Sequence, residues 1–282
     1  MSLELDARQR AMLEEMGVRV WSPLHPSSMD DAPAGPTHEA AAPTRQHAPE
    51  TVAPRATTTR PETRFDSQTA APVPTVASAL PADIAAMDWP ALQQAVAGCQ
   101  ACGLCKSRKN TVFGVGDTQA RWLVMGEAPG ENEDLQGEPF VGQAGQLLDN
   151  MLKAVGLNRG ASGAQGVYIA NVLKCRPPAN RNPQPEEVAK CETYLRRQVE
   201  LLQPQIILAL GRFAAQSLLQ ATVPDIATIP LGKLRGQVHQ YNGVPVIVSY
   251  HPAYLLRTPQ DKARAWADLC LALDVAKRVP AP

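Results

Sequence analysis

From residue 82 onward, short apolar segments alternate with longer segments of helical periodicity. Four of the apolar segments contain almost no polar positions, a pattern typical of parallel strands covered on both faces; they are 121–125, 167–172, 206–210 and 244–249. Helices are predicted around them at 89–98, 144–155, 185–202, 211–220 and 261–277. This order predicts an α/β fold, a three-layer α/β/α sandwich with a central, mostly parallel four-stranded sheet.

The first 81 residues follow other patterns. Residues 1–22 are a short amphipathic N-terminal segment, with a helical apolar face that includes Leu5, Met12 and Met16. Residues 23–81 contain 11 of the chain's 26 prolines, one glycine and no lysine. Because such a composition buries too little apolar surface to offset its ordering entropy, we expect a disordered linker rich in Pro, Ala and Thr. The globular domain is therefore expected at 82–282.

Charge and hydropathy narrow the class of protein. The chain has 27 basic and 27 acidic residues, but both N-terminal segments are acidic, which leaves the globular domain mildly basic. That excess alone is weak evidence for a nucleic-acid partner. No apolar run reaches the roughly 18 residues of a membrane helix, and the N-terminus lacks a secretory signal pattern. We expect a cytoplasmic protein without membrane contact, in which cysteines stay reduced.

The cysteines show the spacing of metal ligands. Three of the six lie within seven residues, and the others follow at long intervals; they are Cys99, Cys102, Cys105, Cys175, Cys191 and Cys270. Buried free thiols are a common fate of cysteine, but scattered thiols do not explain three in one short loop. The pattern predicts a metal or cluster site. Spacing leaves open whether it holds zinc or [4Fe–4S], and which of the first three cysteines bind.

Polar and aromatic residues follow three of the predicted strands, where ligands bind in open α/β sheets. The first strand leads into a Gly- and Pro-rich loop that starts at Gly126 and contains an acidic cluster, Glu131, Glu133 and Asp134. Asn171 ends the second strand, and His251 follows the fourth. Glu131 and Asp134 fit a solvated acidic turn equally well.

Five motifs occur in a fixed order over residues 96–278. They are Cys-x-x-Cys, Gly-Glu-Ala-Pro-Gly-Glu, Gly-x-Pro-Phe-Val-Gly, Asn-x-x-x-Cys-Arg-Pro-Pro-x-Asn-Arg and His-Pro-Ala-Tyr-Leu-Leu-Arg. In this combination the chain resembles the family 4 uracil-DNA glycosylases. The resemblance implies a [4Fe–4S] cluster held by Cys99, Cys102, Cys175 and Cys191, with Cys105 and Cys270 as non-ligands. It also implies an enzyme that flips uracil out of DNA and hydrolyses its N-glycosidic bond, which leaves an abasic site and initiates base excision repair.

The chemistry of that reaction assigns roles to the residues at the strand ends. The uracil pocket is expected to comprise Gly126, Glu127, Ala128, Phe140, Asn171 and His251. Glu127, Glu133 and His251 are the candidate catalytic residues, and Leu255, Leu256 and Arg257 are expected to contact DNA. Ala128 stands where the best-known family of the superfamily has an Asp that positions water, so the choice between the two glutamates stays open.

Two further hypotheses remain. A non-catalytic iron–sulfur or zinc nucleic-acid-binding module would keep the fold, but it would not need Asn171 and Phe140 to read a base. Separately, residues 12–23 resemble the N-terminal peptide of the psi subunit of the bacterial replicative clamp loader. That resemblance implies a replisome or clamp-loader partner bound through residues 4–23, in a protein associated with the bacterial nucleoid; a solvated helix explains the same residues.

Overall fold

The structure, a computed structural model, describes residues 80–81 and 83–279. The predicted N-terminal segment 1–22 and nearly all of the predicted linker 23–81 lie outside the described residues. The six strands are β1 (Val115–Gly116), β2 (Trp122–Gly126), β3 (Val167–Asn171), β4 (Ile206–Leu210), β5 (Val238–Tyr241) and β6 (Val244–Ser249). The α-helices of the described part are α1 (Trp89–Ala97), α2 (Glu131–Gln136), α3 (Gln143–Ala154), α4 (Pro185–Leu202), α5 (Arg212–Leu219), α6 (Leu231–Leu234), α7 (Pro252–Arg257) and α8 (Lys262–Arg278).

The strands form one mixed sheet in the order β1-β3-β2-β4-β6-β5. Its four central strands are parallel and are those predicted from the apolar segments. The predicted strand number was wrong, because β1 and β5 add antiparallel edges on either side. β1 has only two residues, and β5 is half-exposed, so neither carries the continuous apolar pattern of a buried strand.

The sheet is covered on both faces, as the prediction of three layers requires. Alternate strand residues point to opposite sides, so that Val124 and Leu208 pack in one apolar cluster while Met125 and Ala209 pack in the other. Helices α3 and α8 cover the first face, and α4 and α5 cover the second. None of the helices in the described part of the chain is both long and apolar enough to cross a membrane.

Two segments in which no helix was predicted contain one each. The segment after β2 includes α2, whose first turn holds Glu131, Glu133 and Asp134. The segment after His251 is helix α7, which begins with Pro252 and is preceded by His251 at the N-cap position. Both helices are six residues long, too short to show a clear apolar period in the sequence. They fix the walls of a cavity above the carboxyl ends of β2, β3 and β6.

Candidate active site

A cavity of about 450 Å³ opens at the carboxyl ends of the parallel strands. It brings together the residues that follow three of the predicted strands. The sequence-predicted residues that line it are Glu127, Ala128, Glu133, Phe140, Asn171, His251 and Arg257. The lining residues that the sequence analysis did not assign include Pro177, Asn180, Arg181, Ala144 and Tyr254.

Asn171 lies at the base of this cavity. It is the last residue of β3, and its side chain is 2% exposed. Within the described part of the chain its amide has no hydrogen-bond partner, so both its donor and its acceptor are available to a ligand. Gly126, paired with Asn171 in the register of β2 and β3, leaves the necessary room: a Cβ there would collide with Asn171 Oδ1 and lie 2.6 Å from Phe140 Cζ.

Phe140 forms an aromatic wall beside that amide. Its backbone has a φ of 56°, a left-handed conformation that costs a non-glycine residue about 1–2 kcal/mol. Arg159 stabilises the turn by donating from Nη1 to the Pro139 carbonyl at 3.1 Å and from Nη2 to the Phe140 carbonyl at 3.0 Å. Gly145 of α3 packs against the Phe140 carbonyl, where a Cβ would clash. The sequence analysis missed Arg159, because its importance comes from a contact with Phe140, which is 19 residues away in the chain.

His251 stacks on Phe140, with ring centroids 5.4 Å apart and planes inclined by 26°. Its Nδ1 accepts the backbone N–H of Ala253 at 3.2 Å, so the neutral ring carries its proton on Nε2. Burial lowers the pKa of His251 to about 4; Glu133 opposes this shift and Arg257 adds to it. At neutral pH the residue is therefore an uncharged hydrogen-bond donor at the edge of the cavity.

The two candidate carboxylates have different surroundings. Burial raises the pKa of Glu127 to about 7, so this side chain is close to half ionised at neutral pH. The Glu133 carboxylate instead joins two loops: Oε2 accepts Gly130 N–H at 3.1 Å, and Oε1 accepts Val141 N–H at 3.0 Å. Glu133 thus holds the Phe140 loop against the start of α2, whereas the Glu127 carboxylate makes no such hydrogen bond within the described residues.

The other two acidic residues of α2 differ in their burial and in their contacts. Asp134 is buried and accepts the backbone N–H groups of Lys109 and Asn110, so it is not part of a solvated turn. Glu131 is exposed and lies 3.7 Å from the Arg176 guanidinium. Neither residue lines the cavity.

The position of helix α7 contradicts one of the three expected DNA contacts. Leu255 is completely buried in the core and faces away from solvent, so the expectation that it contacts DNA does not fit its position. Leu256 is 41% exposed, and Arg257 lines the cavity. In a helix, neighbouring residues point in directions about 100° apart, which explains why only one of two adjacent leucines reaches the surface.

The segment from Pro177 to Arg181 forms another part of the cavity wall. Ala179 and Asn180 both have left-handed backbones, and Asn180 Oδ1 accepts Arg176 Nε at 2.8 Å. Arg181 forms a bidentate ion pair with Glu187, with N–O distances of 2.9 and 2.6 Å. The motif Pro-Pro-x-Asn-Arg marked this segment in the sequence, but not the side of the cavity on which it lies.

Four cysteines converge next to this segment, behind the cavity wall. Cys175 and Cys191 are buried together with Leu104 and Leu173, and Cys102 packs against them. Burial raises the pKa of Cys175 to about 11 and that of Cys191 to about 12, and the charge of Cys102 adds to both shifts. The charge of Cys99 likewise contributes to raising the pKa of Cys102 and that of Cys175.

The chemistry of this donor set fits a thiolate-bound group. None of the six cysteines forms a disulfide, and Arg108 Nη1 donates to Cys175 Sγ at 3.0 Å. Arg108 Nη2 also donates to the Cys99 carbonyl at 2.7 Å, which joins the two ends of the site. In the described residues no group of three Cys, His, Asp or Glu side chains could hold a single metal ion. A four-iron cluster distributes its thiolates over four metal atoms, so its ligands need not meet at one point.

Known proteins are similar to this chain over most of the described residues. Residues 113–270 match the model of the uracil DNA glycosylase superfamily. A type-4 uracil-DNA glycosylase from Archaeoglobus fulgidus is 48% identical over 169 residues, 58% of this chain and 81% of the relative. The type-4 enzymes of Saccharolobus solfataricus and Pyrobaculum aerophilum are 43% and 41% identical, over 57% and 66% of this chain and 74% and 93% of their own lengths.

Proposed function

The chain belongs to the uracil DNA glycosylase superfamily, with type-4 enzymes as its relatives, and from this we propose that it hydrolyses uracil from DNA. The observation that carries the proposal is the buried Asn171 amide, which has no hydrogen-bond partner in the described residues and lies beside an aromatic wall. A module that only binds the DNA backbone has no use for such a base-reading group.

Asn171 and Phe140 together select the base. Uracil presents an acceptor at O4 and a donor at N3, which the Asn171 amide complements with its own donor and acceptor. Cytosine reverses both groups, so it would leave two buried mismatches against the amide orientation that reads uracil. The Phe140 ring offers a stacking surface, and the cavity of about 450 Å³ admits a nucleotide that has left the helix.

The reaction breaks the bond between uracil N1 and C1′ of the deoxyribose. The bonding electron pair leaves with uracil, whose negative charge develops on O2. His251 Nε2–H and the backbone amides from Gly126 to Ala128 are the donors proposed to stabilise that oxygen. A neutral imidazole serves here as a hydrogen-bond donor that keeps its proton, and the low pKa of His251 preserves that state across the physiological range.

The sugar becomes positively charged as uracil departs. We assign Glu127 to stabilise this charge and to orient the water whose oxygen forms the new bond to C1′. The ionised carboxylate accepts the proton that the water loses. Glu133 acts as a positioning residue, because its oxygens are occupied by backbone N–H groups on both sides of the Phe140 loop.

On the DNA side, Leu256 and Arg257 of α7 are the proposed contacts. The exposed Leu256 side chain is proposed to fill the gap left by a flipped base, and Arg257 to meet a phosphate. Leu255 is left out of this surface because it is part of the core.

Cys99, Cys102, Cys175 and Cys191 would hold the [4Fe–4S] cluster that the type-4 relationship suggests. Such a cluster supplies cross-linking rather than reactivity: it would tie the segment after α1, the loop after β3 and helix α4 together. The Pro177–Arg181 wall of the cavity extends from that loop, so its position depends on the same cross-link.

The remaining predictions concern the cell and the N-terminal residues. We place the enzyme in the cytoplasm, at the nucleoid, where its DNA substrate lies. Residues 4–23 are proposed to dock on a clamp-loader component, with residues 23–81 as a tether to the catalytic domain at 82–282. A peptide of residues 1–25 should bind the clamp loader at micromolar concentration; no binding at that concentration would remove this partner.

The decisive experiment for the activity is uracil release from single- and double-stranded DNA oligonucleotides, followed by cleavage of the abasic sites. We expect abasic sites only at uracil, together with absorbance near roughly 400 nm from the cluster in the purified protein. Binding of the same DNA without release of uracil would instead support the non-catalytic module.

A further inference from the structure

A buried lysine lies directly behind the base-reading residue. Lys174 is 2% exposed and is located between Asn171 and Cys175. Its ammonium donates to the Asn171 carbonyl at 2.8 Å and to Gln198 Oε1 at 2.6 Å. The Phe113 carbonyl accepts a third, longer bond at 3.4 Å. The Lys174 Nζ atom thus forms hydrogen bonds to three separate parts of the chain.

The same contacts form a closed network. Gln198 Nε2 donates to the Phe113 carbonyl at 3.0 Å, and the Lys174 carbonyl accepts Val112 N–H at 2.8 Å. The network joins the end of β3 to helix α4 and to the segment before β1. Since Asn171 is the end of β3, its backbone is fixed from behind while its amide faces the cavity.

The acceptors of Lys174 are uncharged, which is unusual for an ammonium group in the interior. Removing such a charge from water is strongly unfavourable unless an opposite charge lies nearby. Cys175 follows Lys174 directly in the chain, and Cys191 is buried in the same apolar cluster as Cys175. In a loaded site both are thiolates, so the cysteine site itself supplies the negative charge beside this lysine.

We propose that Lys174 is a positioning residue that links the four-cysteine site to base reading, by fixing the Asn171 backbone from behind. The inference rests on the proposed function, because it requires Asn171 to read uracil. Errors of about 1 Å in substrate positioning can cost about 100-fold in rate, so loss of this anchor should affect the reaction strongly.

The test is a double-mutant cycle with Lys174→Met and Asn171→Ala. Each protein is assayed for kcat/KM on uracil-containing DNA at matched iron and acid-labile sulfide content. We expect Lys174→Met to reduce kcat/KM by about 10- to 100-fold, and to add no further loss when Asn171→Ala is already present. Binding of uracil-free DNA should equal that of the wild type. Lys190→Met, an exposed lysine next to Cys191, is the matched control and should retain activity.

Two results would overturn the proposal: a wild-type rate for Lys174→Met, or losses that add fully in the double variant. If the Met variant does not fold, Lys174→Leu, which also removes the donor to the Asn171 carbonyl, is judged in the same cycle by the same criterion. A wild-type protein that releases no uracil would refute the proposed function itself. An active wild type with additive losses would refute only the role of Lys174.

Discussion

Replacing Asn171 with alanine tests the proposed recognition of uracil most directly. The variant removes the amide but leaves the cavity, Phe140 and His251 in place. Uracil O4 and N3–H would then be buried without partners, at a cost of about 1–3 kcal/mol each. The expected loss of transition-state stabilisation is about 2–6 kcal/mol, or roughly 30- to 25,000-fold in kcat/KM.

The structure also predicts that this loss is separable from folding. The Asn171 amide makes no hydrogen bond within the described residues, so truncating it leaves no buried protein group unpaired. We expect the thermal midpoint to stay within roughly 2–4 °C of the wild type, the shift that corresponds to about 1 kcal/mol in a domain of this size.

The assay is single-turnover release of uracil from a duplex, with binding of uracil-free duplex measured in parallel. Asn150→Ala, on the exposed face of α3, removes the same side chain far from the base and should behave as the wild type. If Asn171→Ala released uracil at the wild-type rate, this amide would not read the base edge.

Three other changes test separate parts of the site. Because burial raises the pKa of Glu127 to about 7 and the reaction needs its ionised form, kcat/KM should rise with pH through about 7 in the wild type and lose that rise in Glu127→Gln; a flat wild-type profile would contradict this role. Leu256→Ala should slow release from duplex more than from single-stranded DNA at an unchanged thermal midpoint, whereas Leu255→Ala should lower the free energy of unfolding by about 2–5 kcal/mol; the reverse pattern would put Leu255 on the DNA. Cys191→Ser should purify with less iron and less absorbance near roughly 400 nm, while Cys105→Ser retains both; equal iron in the two variants would remove Cys191 from the ligand set.

The central sheet and the position of the site could be predicted from local patterns. Three of the central strands are buried throughout and β6 is buried over its last four residues, and a continuous apolar run signals a parallel strand without knowledge of its neighbours. Parallel strands place their carboxyl ends at one edge, so Asn171 and His251 were expected to meet there. Their shared cavity agrees with that expectation.

Local patterns failed where an element is short or exposed. β1 depends on pairing with β3 across about fifty residues, and its two residues carry no pattern of their own. In α7 the same limit assigned both leucines to the DNA surface. Which of the two faces outward depends on the orientation of the helix against the core, and six residues do not reveal that orientation.

The four parallel strands, the spacing of the cysteines and the proposal of Asn171 as base reader could all be drawn from short-range periodicity and motif order. How these residues are held depends on contacts between distant parts of the chain. Glu133 differs from Glu127 because Val141 N–H reaches its carboxylate from eight residues away. Lys174 gains its role from Phe113 and Gln198, which are 61 and 24 residues distant in the chain. Contacts over such separations form only when the chain folds. They give side chains of the same chemical type, such as Glu127 and Glu133, different roles.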